Sequence, residues 1–307
     1  MGDGSKLVLA AAEAAGTQQY PAACLYVVAT PIGNLADLTL RALHVLATVD
    51  AIACEDTRHS AALLRHFGLF KPLVAIHEHN EREASGVVLT RLARGERVAY
   101  VSDAGTPALS DPGAELVAAA HGAGYRVVPI PGASSALAAL SVAGDTDTSG
   151  FAFVGFLAAR GAERARAVAA VARASATQVL FEAPHRIETL AAELAFACPD
   201  RTVTVCRELT KQFETVANMA LRELPAWLGT EPNRSRGEFV LVLHARPALV
   251  AETQDGEHDA ILAPLLAALP LKQAVALAAE ISGAPRNTLY ARALALRARA
   301  APEDDAG

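Results

Sequence analysis

A chain of 307 residues is long enough for two domains and a large buried core. Its formal net charge of -6 supplies no global basic field, so any polyanion partner has to be met by a local patch. Apolar residues make up 52% and aromatics 5%, the balance of an Ala/Val/Leu-rich α/β protein, and no apolar run reaches the ~18 residues that would cross a membrane.

The start, M-G-D-G-S-K-L-V-L-A-A-A-E-A-A-G, has a short apolar run interrupted by Glu13, which argues against an export signal. Residues 1–22 are expected to form a flexible extension. Cys24, Cys54, Cys198 and Cys206 show neither a C-x-x-C pair nor metal-type spacing, so reduced thiols and a cytoplasmic location are expected.

The first strand, residues 25–29, ends in T-P-I-G-N-L, where Pro31 holds Thr30 extended and Gly33 permits a sharp turn. Asp37 is expected to cap a helix bearing Leu40, Leu43 and Leu46. A strand at 51–54 ends in E-D-T-R-H, and another at 73–76 ends in H-E-H-N before a helix over 81–94. The fourth, residues 98–101, is a continuous apolar run that reads as buried on both faces. It stops at S-D-A-G-T-P, and Asp111-Pro112 then reads as a helix N-cap with proline in the first turn. A fifth strand, 126–130, ends in P-G-A-S-S.

Five strands alternating with helices predict a parallel, doubly wound α/β sheet in a domain spanning 23–143. Ligands of such sheets sit at the carboxyl ends of the strands, so Pro31, Glu55, His77, Asp103 and Ser134 are expected around one crevice. There Gly105 lets backbone approach a ligand, and Asp103 either accepts hydrogen bonds from it or caps its own turn.

The stretch A-G-D-T-D-T-S-G reads as a hinge to a second α/β domain, 150–246, whose sheet is mixed. Strands at 151–156, 177–182, 202–206 and 238–244 meet A-P-H-R-I, R-E-L-T-K and N-R-S-R-G. Arg160, Arg164 and Arg166 form a basic turn after the first of them. An acidic linker, 247–258, precedes a small helical domain at 259–300, whose helices flank Pro270 and G-A-P-R. That spacing reads as a helix-turn-helix or as a packing tail.

No G-x-x-x-x-G-K-[ST], G-x-G-x-x-G or G-x-S-x-G occurs. His77, Glu78 and His79 lack further ligands at recognisable spacing, so no metal is expected. The crevice with its small residues and hydroxyls suits a bulky, polar, partly cationic small molecule.

The ordered set T-P-I-G-N-L, E-D-T-R-H, V-S-D-A-G-T-P-A-L-S-D-P-G, P-G-A-S-S, G-F-L, P-H-R-I, R-E-L-T-K and R-G-E-F resembles the ribosomal RNA small-subunit methyltransferase I family of the tetrapyrrole methylase superfamily. The likeness runs from about residue 25 to 298. It implies a two-domain tetrapyrrole-methylase-like (class III methyltransferase) fold, S-adenosyl-L-methionine in the cleft, and a homodimer. The reaction it implies is 2′-O-methylation of a cytidine ribose in the decoding region of 16S rRNA, in the small ribosomal subunit. Carried over by motif, cofactor contacts fall on Thr30, Pro31, Ser102, Asp103, Ala104, Gly105, Thr106, Ser134 and Ser135, and in the second domain on Phe156, Leu157, Phe181, Glu182, Ala183 and Gly237. P-G-A-S-S departs from the usual P-G-P-S, which loosens that turn without removing its hydroxyls.

Methyl transfer to a ribose hydroxyl benefits from a base, for which Glu55, Asp56, His59, Glu182, His185 and Glu208 are candidates that the sequence does not rank. Arg58, Arg186, Arg207 and Lys211 are expected to meet RNA phosphates, with Lys272, Arg286 and Arg292 in the helical tail. The cofactor loops alone also fit a small-molecule methyltransferase of the tetrapyrrole type, and the fold alone a non-catalytic ribosome-assembly protein. E-D-T-R-H, R-E-L-T-K and the tail favour the RNA branch, and intact cofactor loops favour an enzyme.

Overall fold

The computed structural model describes residues 3–77, 80–110, 112–146, 150–246 and 258–300. It divides into a large unit ending at Ala245 and a small one beginning at Arg246. The large unit carries two sheets.

The first sheet contains β1 (Cys24–Val28), β2 (Ala51–Cys54), β3 (Leu73–Ala75), β4 (Arg97–Val101) and β5 (Arg126–Ile130). All pair in parallel, in the order β3-β2-β4-β1-β5. Side chains alternate between the faces. Cys24, Tyr26, Val28, Ala99 and Val101 enter one core cluster, whereas Leu25, Val98 and Tyr100 enter the other. Helices cover both faces, so β4 in the centre is apolar from Val98 to Val101. On one side lies α2 (Leu40–Thr48), and on the other α4 (Glu81–Ala93) and α5 (Ala114–Gly122).

Three local expectations are corrected. Residues 3–15 are not a loose extension: α1 (Asp3–Ala15) buries Ala11 with Leu43, Leu63 and Phe67. Small residues bring it close, for a Cβ on Gly4 would stand 2.8 Å from the Phe67 carbonyl carbon. The cap of α2 is Thr39, whose hydroxyl accepts from Ala42 N at 3.1 Å, because Asp37 ends a separate 3₁₀ turn, Leu35–Asp37. The helix α5 starts after Gly113 (φ 118°), and Glu81 Oε1 caps it by accepting from Gly113 N and Glu115 N at 2.7 and 2.9 Å. Pro112 therefore precedes the helix, and Asp111 lies outside the described residues. A side chain at Gly113 would collide with the Tyr100 ring, whose hydroxyl donates to Pro112 O.

After α6 (Ser135–Ala143) the chain enters the second sheet: β6 (Phe151–Phe156), β7 (Thr177–Glu182), β8 (Thr202–Arg207), β9 (Thr215–Ala220) and β10 (Phe239–Leu243). Their order is β6-β7-β10-β8-β9, with β6 parallel to β7 and the other pairs antiparallel. The strand β9 has no counterpart in the sequence reading. Around the sheet lie α7 (Gly161–Arg173), α8 (Ile187–Ala197) and the short α9 (Leu224–Gly229). Arg201, 5% exposed, fastens one end by donating to His244 O, Val171 O and Ala176 O at 2.7–2.8 Å.

Among the described residues the small unit carries α10 (Asp259–Ala268), α11 (Leu271–Ser282) and α12 (Arg286–Ala300). Leu262, Val275, Ala278, Leu289 and Ala293 form its core. Arg292 makes two hydrogen bonds to the Asp259 carboxylate at 2.8 and 2.7 Å, so this guanidinium serves the unit's own packing, while Lys272 and Arg286 are exposed.

Candidate active site

Loops at the carboxyl ends of β1, β4 and β5 are bolted together by backbone and side-chain hydrogen bonds. Thr30 and Gly105 exchange both backbone bonds, at 2.9 and 3.1 Å. The left-handed φ of 85° at Gly105 and its nearness to Ile32 Cγ2 disfavour a side chain there. Thr30 Oγ1 donates to Ser102 O, and Thr106 Oγ1 to Ala133 O, both at 3.1 Å. Asp103 Oδ1 accepts from Asp56 N at 3.1 Å, tying in the loop after β2. Thr30 and Ser102 are each 1% exposed, so these two predicted site residues shape the loops from beneath. Ser134 caps α6, its hydroxyl accepting from Leu137 N at 3.4 Å.

Above these loops opens a cleft of about 540 Å³, lined by Ala104, Gly105, Thr106, Ser134 and Ser135 from the first lobe. The second lobe contributes Phe156, Phe181, Glu182, Ala183 and His185. Phe181 meets Phe153 and Phe156 edge-on, with ring centroids 5.1 and 5.6 Å apart, making an apolar wall. A second chamber of about 440 Å³ is lined by Thr30, Pro31, His59, His66, Asp103 and Lys211, among others. Ile32, Ala104 and Glu238 belong to the linings of both chambers, which therefore adjoin.

The structure brings most predicted site residues to these chambers, with exceptions that have physical reasons. Glu55 and His77 line neither chamber; β3, which precedes His77, is the outermost strand of its sheet, whereas the segment after β2 reaches the second chamber through His59 and His66. Glu78 and His79 lie outside the described residues. Gly237 (φ 89°) stands behind the cleft, where a Cβ would come within 2.5 Å of Glu208 Cγ. Leu157 is buried in the second lobe's core. Phe153, Leu109, Leu209 and Val240 line the larger chamber without having been singled out, since apolar residues at such positions look the same as core.

The basic candidates divide sharply. Arg58 projects into solvent, its side chain 90% exposed, and pairs with Asp56 at 2.7 Å. Hydrogen bonds from Arg58 hold the Asp56 carboxyl well below the usual carboxylate range. Arg186 turns inward instead: its Nε lies 3.1 Å from Glu182 Oε1 and its Nη2 donates to Leu157 O at 2.6 Å. Arg207 donates to Arg236 O and Phe213 O, both at 3.1 Å. Lys211 Nζ donates to Glu208 Oε1 and Glu238 Oε2 at 2.9 and 3.0 Å, while its aliphatic stem lies over Gly33. Arg186, Arg207 and Lys211 are thus engaged by the fold rather than held out for phosphate.

Among the acidic candidates, Glu182 has a fully buried side chain between Arg164 and Arg186, and its Oε2 has no hydrogen-bond partner. Burial tends to raise the Glu208 pKa, but hydrogen bonds from Glu238 N and Lys211 outweigh it and hold the carboxyl below its ordinary value. The Cys206 thiol, in the floor of the larger chamber, is pushed up to about 11, chiefly by burial, and is not a nucleophile at neutral pH. His59 and His185 are exposed, one in each chamber.

Residues 24–225 match the family model of tetrapyrrole (corrin/porphyrin) methylases, and residues 252–297 match that of the RsmI C-terminal HTH domain. Ribosomal RNA small subunit methyltransferase I of Pseudomonas aeruginosa is 48% identical over 89% of this chain and 97% of that protein. The Escherichia coli O157:H7 protein of the same name is 46% identical over 88% of this chain and 94% of its own. Among solved structures, cobalt precorrin-4 methyltransferase aligns with a TM-score of 0.55 at 20% identity, over 72% of this chain and 95% of that one. Diphthine synthase aligns at 0.56 and 18%, over 72% and 90%; at such identities the likeness is one of fold. Two lobes with bolted loops, a cleft between them and a separate helical unit thus fall within one lineage, and the chain belongs to the ribosomal RNA small subunit methyltransferase I family of the tetrapyrrole methylases.

Proposed function

We propose that the protein methylates the ribose 2′-oxygen of a cytidine in the decoding region of 16S rRNA, using S-adenosyl-L-methionine. The observation that carries this reading is continuous similarity to the small subunit rRNA methyltransferases through both lobes and the helical unit, where the tetrapyrrole methylase model stops at residue 225. The larger chamber fits the cofactor on its own geometry. Its apolar aromatic wall suits an adenine, and the close backbone at Gly105 suits a polar tail. The buried Oε2 of Glu182, ion-paired with Arg164 at 3.7 Å, accepts no hydrogen bond and is open to a donor on the ligand. Contacts are assigned to Ala104–Thr106, Ser134, Ser135, Phe156, Phe181 and Ala183, with Thr30, Ser102, Leu157 and Gly237 supporting from behind. Bound there, the cofactor supplies an electrophilic methyl group on a sulfonium. The chain's own part is to align the acceptor oxygen, exclude water and receive a proton.

RNA affinity is assigned to Arg58 and to exposed cations of the helical unit, Lys272 and Arg286. Action in the cytoplasm, as a homodimer, completes the reading. Exposed Leu137 and Val142 on α6 are apolar surface that a partner subunit would cover, which sedimentation would test.

The test is transfer of labelled methyl from S-adenosylmethionine to small subunits from cells lacking the family's enzyme, mapped by nuclease digestion and mass spectrometry. Label on a cytidine ribose of the decoding region is expected. Cofactor binding without transfer to subunits or naked 16S rRNA would instead favour a small-molecule acceptor.

A further inference from the structure

The two chambers differ in chemistry, and the proposed reaction needs two ligands. In the larger one, the wall is aromatic and the Glu182 carboxylate is locked between guanidinium groups. The smaller one carries His59, His66, Asp103, Lys211 and Glu238. Its volume of about 440 Å³ holds one nucleotide but no base-paired segment. Proteins that act on RNA bases or riboses within a fold take the nucleotide singly, splayed from its neighbours.

The helix α3 (Thr57–His66) shapes this chamber. His59, Ala62, Leu63 and His66 recur at helical spacing and line it, while Arg58 and Arg65 lie on the exposed flank, where a nucleotide's neighbouring phosphates would pass. The acidic candidates are all engaged or distant, and His185 lines the larger chamber. Asp56 is held by Arg58, Glu182 by Arg164 and Arg186, and Glu208 by Lys211 and Glu238 N, and Glu55 lines neither chamber. The His59 imidazole is exposed and makes no hydrogen bond or ion pair among the described residues.

We propose that the smaller chamber is the acceptor slot, taking a single unpaired nucleotide of the RNA, and that the His59 imidazole receives its 2′-hydroxyl proton. This deepens the reading above and rests on it. The 2′-oxygen forms its bond to the methyl carbon as the carbon–sulfur bond breaks, with that bond's electron pair staying on sulfur. The hydroxyl proton passes to neutral His59 and from there to water. The other titratable groups facing the slot are His66, Asp103, Lys211 and Glu238.

The test compares wild-type, His59→Gln, His185→Gln and Ala62→Phe chains, all full length, on unmethylated small subunits, with S-adenosylhomocysteine binding measured by calorimetry. His59→Gln is expected to lower kcat by about 10²- to 10⁴-fold and to abolish the rise of kcat with pH that a protonatable base confers. Its S-adenosylhomocysteine affinity should stay within about twofold of wild type. Ala62→Phe, which narrows the slot, is expected to raise KM for subunits about tenfold with the same cofactor affinity. A His59→Gln enzyme that keeps its kcat and its pH limb, or loses both only together with S-adenosylhomocysteine binding, overturns the assignment, as does a limb that disappears in His185→Gln. If the wild-type chain methylates no subunit, the functional reading fails separately. The slot is then decided by subunit binding alone, and equal affinity for the wild-type and Ala62→Phe chains overturns it.

Discussion

Replacing Arg186 by alanine separates a structural guanidinium from an RNA-binding one. The Glu182 side chain is fully buried, and Arg186 stands 3.1 Å from its Oε1 with only 21% of its own side chain exposed. Removing one partner of a buried ion pair costs about 3–5 kcal/mol, because the remaining charge is left uncompensated. Here Arg164, 3.7 Å from Oε2, retains part of that compensation. The lost hydrogen bond to Leu157 O, at 2.6 Å, adds about 1 kcal/mol. The expected net cost is about 2–4 kcal/mol, or a fall in Tm of about 5–15 °C for a unit of this size. Thermal denaturation followed by circular dichroism measures it. Glu182→Gln placed in the Arg186→Ala background should recover part of the loss, since a neutral amide needs no counter-ion. In subunit binding, the dependence on salt should be unchanged. An unaltered Tm, together with a salt slope reduced by about one, would refute the reasoning and return Arg186 to the RNA.

Gly237→Ala should cost about 2–4 kcal/mol, from a left-handed φ and from collision with Glu208, and should release Lys211 from Glu208; denaturant unfolding checks this. His244, hydrogen-bonded to Thr204 Oγ1 at 2.8 Å, has its pKa lowered chiefly by burial, against the opposing pull of Asp145 and with a further push from Arg201. Its folded pKa lies below the unfolded one, so the unfolded chain takes up the proton first. Stability is therefore full above the ordinary imidazole pKa of about 6.5 and is lost as pH falls below it. His244→Gln should flatten the stability profile between about pH 5 and 7, and equal slopes for both proteins would contradict the sign. A chain ending at residue 246 should keep S-adenosylhomocysteine binding and bind small subunits more weakly; undiminished subunit affinity would make α10–α12 a packing element.

Sequence pattern reached the architecture because continuous apolar strands announce themselves. β2, β5, β6 and β7 have the expected bounds, and the glycine and proline loops lie where the strands end. It passed over β9, whose T-V-A-N-M-A is half-exposed at a sheet edge and resembles a polar loop. It also passed over the packing of α1, since alanine and glycine produce close approach without a strong apolar period. For Arg186, Arg207 and Lys211, positive charge was legible but direction was not. Whether a guanidinium points out or in depends on a carboxylate or carbonyl contributed from elsewhere in the chain. The crevice failed to collect His77 because strand order, which no local pattern encodes, set β3 at the outer edge of the sheet.

The position of β10 has a consequence for the order in which the protein is made. All strands of the first sheet have been synthesised by Ile130, so that lobe can close while the ribosome is still adding the second. The second sheet cannot do the same, because β7 and β8 are joined only through Phe239–Leu243, which emerges last of its strands. Until then both present bare edges to any neighbouring chain. A nascent chain stopped shortly before residue 239 should therefore be the most aggregation-prone length, and one stopped after Ala245 should resist pulse proteolysis over its whole large unit.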